Sequence, residues 1–471
     1  MARALTGRYA VSARKAALVN TKIPFRLDFD IEKFNAGKLL SICRCDRAGS
    51  SLSQNNMKLN LKTQSITAGA WRGVLSAHLI VAFGCGLPAA VHAQTNCQPL
   101  ISFGSWNVPS SSPNSLIEGS DGRLFGTTYS GGDSGRGTVF KLNKDGSGFT
   151  MLHSFTGGDD GGNPQAALVE GSDRVLYGTA SQGGTSGGGT VFKLNRAGSG
   201  YKTLRSFDRN GHDGSDPLAG MIEGSDGALY GTTYIEGTVF KLNRDGSGFK
   251  VLHAFTGRDG SGPFAGLVLG SDGVLYGTTS GGGDKNGGTV FKLNQDGSNY
   301  MVLHSFNSKA EEGREPNAAL VEGSDQALYG TTSKGDINVG AVFKLKKDGS
   351  GFTVLHRFNS PTNFNGSDGM LPMAGLAVGK DEALYGTTSA GGGGFGGGTV
   401  FKIKPDGSGY TVLHRFTGFP KDGMSPQGPA LLRSGDGAMY GTTIGGGTKD
   451  VGIVFKLTLS GSRAPTSPAA K

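Results

Sequence analysis

The stretch LIEGSDGRLFGTTYSGGDSGRGTVFKLNKDGSGFTMLHSF, residues 116–155, recurs with small changes toward the C-terminal end of the chain. Its aromatic-Gly-Thr core falls at Phe125, Tyr177, Tyr230, Tyr276, Tyr329, Tyr385 and Tyr440, at intervals of 46 to 56 residues. Self-similarity at such a period marks a repeat architecture, here of seven units. Each unit divides into four short apolar runs, as in residues 318–322, 328–332, 341–346 and 352–358. Turn chemistry separates them: Gly-Ser-Asp-Gly or a close relative between the first two, Asp-Gly-Ser-Gly between the last two. Asp-Gly supplies the positive φ that tight hairpins demand, so the four runs read as strands a to d of an antiparallel meander.

A four-stranded unit of this length in tandem predicts an all-β fold, a seven-bladed β-propeller in which each blade buries its faces against its neighbours. Strand c, such as Thr138-Val139-Phe140-Lys141-Leu142, is accordingly apolar on both faces. The last unit stops after its strand c at Val454-Phe455-Lys456-Leu457, without a fourth run of its own. The missing run stands at the other end, where Leu100-Ile101-Ser102-Phe103 resembles Leu152-His153-Ser154-Phe155. An N-terminal strand is therefore expected to complete the seventh blade and leave the ring without an exposed edge.

Composition agrees. Among 471 residues, 84 are glycine, a turn-rich signature, while the 36% of hydrophobic residues still suffices for a large core. The net charge of +9 is confined to the leader: residues 1–93 hold 13 Lys/Arg against 4 Asp/Glu, which leaves 33 of each sign in the remainder. A neutral remainder lacks the electrostatic footprint of a nucleic-acid binder, so no nucleic-acid partner is expected.

Lys58, Lys62 and Arg72 precede an apolar run over residues 74–87, followed by Pro88 and the small-residue site Val91-His92-Ala93. That order predicts a signal peptide over 57–93, cleaved after Ala93, and an exported protein, either secreted or held in the periplasm or cell envelope. The run is too short to span a membrane, and no transmembrane segment is expected in the mature chain. Residues 1–56 read as a non-native or disordered extension, with Met57 as an alternative start. A lipoprotein reading at Cys85 ranks second. Cys43, Cys45 and Cys85 all fall in the leader, so only Cys97 would persist and no internal disulfide is expected. The propeller is expected over 94–459, with a disordered tail over 460–471.

The unit G-S-D-G-x-L-Y-G-T-T…G-T-V-F-K-L…L-H-x-F resembles the GloVer tandem repeat, found in Gloeobacter and Verrucomicrobia proteins, over roughly residues 98–459. The resemblance implies export and a propeller-like repeat domain, and no established activity. Family members often carry a C-terminal surface anchor; the tail here is short, polar and Pro/Ala-rich.

A residue found at one position of every blade is explained by blade geometry before any site. His153, His253, His304, His356 and His414 all lie on strand d, too far apart in neighbouring blades to share a metal, and read as structural. The strand-c lysines, from Lys141 to Lys456, read as snorkelling to the rim, and the turn aspartates, from Asp121 to Asp436, as caps of the a–b hairpin. Phosphate-loop, nucleophile-elbow and paired-cysteine signatures do not occur after residue 93. No metal and no cofactor are expected.

Function must then lie where the repeat breaks its own rule. The a–b and c–d turns share one face of the disc and are uniform; the b–c and d–a loops share the other and carry the length variation. The candidate ligand-binding residues on that loop face are Asp208, Asn210, His212, Asp213, Glu311, Glu312, Arg314, Asp368 and Asp422. Asp208-x-Asn210-x-x-Asp213 resembles part of a calcium loop without the remaining ligands. The reading that follows is a monomeric binding or scaffolding module for an extracellular or envelope ligand, carbohydrate or protein. The alternative is a hydrolase or lyase acting on a polysaccharide through carboxylates of the loop face.

Overall fold

A computed structural model of the chain describes residues 95–105, 110–307, 312–335, 339–358, 367–393 and 396–459. The leader over 1–93 and the tail over 460–471, and the readings placed on them, lie outside the described residues. The described part contains seven four-stranded antiparallel sheets, each in the sequential order a-b-c-d, arranged as a β-propeller. In blade 1 the strands are Ser110–Glu118, Leu124–Gly131, Thr138–Leu142 and Thr150–Ser154. No helix occurs among the described residues, and none is long and apolar enough to cross a membrane.

The period-2 alternation of strands explains why the apolar runs are continuous. In strand c of blade 2, Phe192 and Leu194 pack with Phe125, Val139 and Phe155 of blade 1. Val191, which precedes Phe192 and points to the other face, packs with Leu229, Phe240 and Leu242 of blade 3. The core is thus a set of inter-blade layers, and a strand with a layer on each side has no polar face to show. Close packing also fixes the glycine of the aromatic-Gly-Thr motif: a Cβ on Gly231 would come within 2.5 Å of Cζ of Phe240 across the sheet.

Strand a is shorter than its apolar run. In blade 5 it covers Val321–Glu322 only, whereas the apolar run begins at Ala318. The residues ahead of it bend along the ring axis, and their carbonyls are claimed by the preceding blade. Thr127 Oγ1 donates to the Ala166 carbonyl at 2.9 Å, Thr179 to Ala219 at 2.9 Å, Thr232 to Ala265 at 3.2 Å, Thr278 to Ala318 at 3.1 Å and Thr331 to Ala374 at 3.1 Å. Across the seam between blades 7 and 1, Thr442 Oγ1 donates to the Asn114 carbonyl at 2.9 Å. The strand-b threonines therefore act as latches between blades.

The ring closes through Asn96–Ser102, which is the outermost strand of blade 7 and pairs antiparallel with Ile453–Thr458. The pairing begins at Asn96↔Thr458, four residues before Leu100, and ends at Ser102↔Ile453. Leu100 is the extra residue of a bulge, as Leu152 is in blade 1, so the resemblance between the two runs extends to their backbone irregularity. Phe103 N–H donates to the Gly452 carbonyl at 3.1 Å, and its buried ring meets Phe140 of blade 1 edge-on at 5.5 Å.

Candidate functional site

The turn face repeats itself chemically as well as in length. Asp173 accepts from the Val175 N–H and from the Tyr177 hydroxyl, and the same pair of bonds recurs on Asp226, Asp272, Asp325 and Asp381. The aspartates thus cap the hairpins as the sequence indicates, and also hold the buried tyrosines. The strand-c lysines take one of two places. Lys241, Lys344, Lys402 and Lys456 pair with the aspartate of their own blade. In blades 1, 2 and 4 the next blade brings Arg196, Arg244 or Lys347 to that aspartate, and Lys141, Lys193 and Lys292 donate to a backbone carbonyl instead. Burial opposes ionisation of Asp436, but bonds from Lys456, Tyr440 and the Ala438 N–H hold its carboxyl well below the ordinary carboxylate range.

On the loop face, most of the candidate carboxylates are bound within their own blades. Asp213 pairs with Arg205, Glu312 with His304 at 3.3 Å, Asp368 with His356 at 3.3 Å and Asp422 with His414 at 3.2 Å. The same clasp joins His153 to Asp160 at 3.2 Å and His253 to Asp259 at 2.9 Å. Each clasp leans on the following blade. The His153 ring stacks on Tyr201 at 3.8 Å and 7°, and the Tyr201 hydroxyl donates to the Asp160 carbonyl. His253 stacks on Tyr300, His304 on Phe352 and His356 on Tyr410, while the Arg205 guanidinium lies 4.1 Å from the Phe249 ring centroid. In blade 7 the register puts Cys97 at this aromatic position. Burial, with the Asp422 charge adding to it, pushes its thiol up to about 12, far from a nucleophilic thiolate.

These clasps occupy equivalent positions in different blades, so the candidate carboxylates are not gathered into one cluster. Asp208 accepts from the Asn210 N–H at 3.0 Å in a local turn, His212 is exposed, and Arg314 approaches Glu315 at 4.0 Å. Glu311 lies outside the described residues. Among the described residues, no group of three or more His, Cys, Asp or Glu is placed to hold a metal ion.

What all seven blades do bring together is an axial cavity of about 150 Å³ at the loop-face end of the ring. Blades 2 to 7 have a proline ahead of strand a, from Pro164 to Pro426, and blade 1 has Pro113 within it; each packs on a glycine of the preceding blade, as Pro164 does on Gly137. The residue after the proline faces the axis, and its identity changes from blade to blade. Blades 3, 4 and 6 contribute Leu218, Phe264 and Met373; blades 1, 2, 5 and 7 contribute Asn114, Gln165, Asn317 and Gln427. Each amide nitrogen makes one hydrogen bond within the protein. Asn114 Nδ2 donates to the Pro164 carbonyl at 2.7 Å, Gln165 Nε2 to Ser181 Oγ at 3.3 Å, Asn317 Nδ2 to Ser333 Oγ at 3.0 Å and Gln427 Nε2 to Ser425 Oγ at 3.1 Å. Their four side-chain carbonyl oxygens have no partner among the described residues.

The rim of this cavity breaks the repeat as well. Strand b is followed by Ser181, Ser280, Ser333 and Ser389 in four blades, each hydroxyl donating to a backbone carbonyl of its own blade. Blades 1 and 3 carry Tyr129 and Tyr234 there, both 37% exposed, and Tyr234 meets Phe264 edge-on at 6.0 Å between centroids. The sequence signal for this site is the position after the repeat proline and the position after Gly-Thr-Thr, read in register. Loop length, which directs attention to the d–a insertions, does not reveal it.

Solved structures confirm the architecture. A streptogramin B lyase is 16% identical, with a TM-score of 0.53 over 78% of this chain and 98% of that one. A catalytically inactive virginiamycin B lyase from Staphylococcus aureus, with quinupristin, is 15% identical, with a TM-score of 0.54 over 78% and 99%. At such identity the likeness is one of fold. No curated protein sequence matches the chain. The Gloeobacter/Verrucomicrobia repeat matches residues 90–236, 233–363 and 362–467, and the chain belongs to that family.

Proposed function

We propose that this chain is an exported propeller that binds an extracellular or envelope ligand, carbohydrate or protein, at its loop face and does not turn it over. The observation that carries the reading is chemical asymmetry confined to one end of the ring. The turn face presents nearly the same Asp-Tyr-Lys arrangement in blade after blade, whereas the axial positions differ from blade to blade. A single ligand needs such asymmetry, since a sevenfold-uniform face offers seven equal weak sites in place of one. Export is supported by the leader over 57–93. Binding without turnover is supported by the chemistry of the face: Asp213, Glu312, Asp368 and Asp422 are each held by a basic side chain of their own blade, and the residues after the repeat prolines carry no titratable group. Acid–base hydrolysis needs two carboxyls at a defined separation across the scissile bond.

The full chain, immobilised and exposed to polysaccharides and envelope fractions with product analysis of each mixture, is expected to retain ligand unchanged. Release of shortened or unsaturated products would establish catalysis instead. Loss of binding on Asp145→Ser and Asp245→Ser exchanges in the c–d turns, with loop-face variants unaffected, would move the site to the opposite face.

A further inference from the structure

The axial cavity has a chemical character that narrows the ligand beyond a generic binding role. Its seven variable positions hold four amides, two aliphatic or thioether side chains and one aromatic ring, and no charge. An ionic ligand entering there would lose its hydration with no counter-charge at these positions to replace it. The unspent hydrogen-bonding capacity is likewise uncharged. With one N–H of each amide engaged on Pro164, Ser181, Ser333 or Ser425, each side chain still offers its carbonyl oxygen and a second N–H. They call for an uncharged ligand whose peripheral groups both donate and accept hydrogen bonds, as hydroxyls do.

The amides and the apolar groups are largely segregated, with Asn317 of blade 5 alone placed between the apolar Phe264 and Met373 of blades 4 and 6. Gln427, Asn114 and Gln165 come from the consecutive blades 7, 1 and 2, while Leu218 and Phe264 come from the adjacent blades 3 and 4 with Tyr234 at the rim beside Phe264. A ring that carries hydroxyls at its edge and C–H bonds on its face matches an arc of amides opposite an aromatic wall. The cavity of about 150 Å³ is well below the ~300–1,000 Å³ of drug-sized sites, so it takes one such ring and not an extended chain.

Building on the binding role proposed above, we infer that the axial cavity is a subsite for one neutral sugar residue, free or at the end of a glycan, hydrogen-bonded by Gln165, Gln427, Asn114 and Asn317 and packed against Phe264. Entry is from the loop face, past Tyr234. Gln165 and Gln427 are the informative positions, because their side chains make one bond each within the protein, whereas the Asn114 backbone also carries a latch.

The test measures binding of the full chain to an array of neutral, uronic and amino-sugar glycans, and titrates glucose, galactose, mannose and tetramethylammonium by calorimetry. Gln165→Met and Gln427→Met keep side-chain length and remove the amide; Phe264→Leu removes the aromatic wall. A neutral sugar is expected to bind, about tenfold more weakly in each variant, with unfolding temperatures near that of the parent. Capture of a glycan end without the free monosaccharide also supports the assignment, provided the variants lose it. Sugar binding indifferent to all three variants overturns the axial subsite and leaves the loop-face binding role standing, as does selective binding of charged glycans or of tetramethylammonium. Turnover of a bound glycan overturns the non-catalytic role while the variants still report on the subsite.

Discussion

Strand-d histidines illustrate how a residue that looks chemical can be structural. Desolvation outweighs the attraction of the paired carboxylate at His153, His253 and His304, so burial holds each below the ordinary 6.5. The neutral imidazole is the form the fold accepts. Below pH 6.5 the unfolded chain binds protons at these positions that the folded chain refuses, so stability present above that value is lost as the pH falls through the lower folded values. Thermal unfolding followed by circular dichroism is expected to give a melting temperature that declines from pH 6.5 toward 5. A His153→Gln, His253→Gln, His304→Gln triple variant should decline less over the same range. A parent melting temperature that is flat between pH 7.5 and 5 would refute the assignment. The structural role of these histidines is legible in the sequence, from their recurrence on strand d. Their acidic partners are harder to see, because loop length moves them from six residues downstream at Asp259 to twelve at Asp368, and the stacked aromatic belongs to the next unit.

At the scale of elements, turn chemistry and alternation locate the strands, since Asp-Gly hairpins and two-sided burial leave a direct imprint on residue type. They do not locate the end of strand a. The residues ahead of Val321 are as apolar as a strand and yet run along the axis, where neighbouring blades claim their carbonyls. The latch threonines make this arrangement testable. Thr179→Val keeps the shape of a buried side chain and withdraws the donor to the Ala219 carbonyl. Leaving that carbonyl without its donor should cost about 1–3 kcal/mol in denaturant unfolding. Blade 6 supplies the control. Its boundary with blade 7 is bridged by the Gly375 N–H donating to the Pro429 carbonyl, in a segment one residue longer than in blades 2 to 6. Thr387→Val should accordingly destabilise less than Thr179→Val; equal effects would show that the inter-blade bond is not what the threonine contributes. The same axial segments explain why the candidate site was only half legible: loop insertions are visible as length, but a site built from one side chain per blade becomes visible only when the units are aligned on their prolines.

For the whole molecule, the decisive contact joins the two ends of the repeat. Asn96–Ser102 covers the edge of Ile453–Thr458, and Phe103 then enters the layer between blades 7 and 1 with Leu124, Phe140 and Tyr440. Without this strand the backbone groups from Ile453 to Thr458 lose their ladder on one side, and Phe455 and Leu457, both fully buried, lose part of their cover. Phe103 alone contributes about 1.5–3 kcal/mol by burial, and its removal opens the layer it fills. A net stability of about 5–15 kcal/mol is small enough for such a loss to govern the melting temperature. A chain beginning at Ser110 is therefore expected to melt markedly lower than the parent or to associate through its uncovered strand, read out by differential scanning calorimetry and light scattering. Fusing residues 95–104 behind residue 459 through a short flexible linker should return the melting temperature most of the way, because the strand then reaches the same edge with the same antiparallel register. A variant of that fusion with Phe103→Ser and Ile101→Ser should fail to rescue, which separates strand pairing by apolar fit from a generic effect of added residues. Parent-like melting of the shortened chain would mean that blade 7 is held by its axial and Gly-Pro contacts alone and that the N-terminal strand is dispensable to closure.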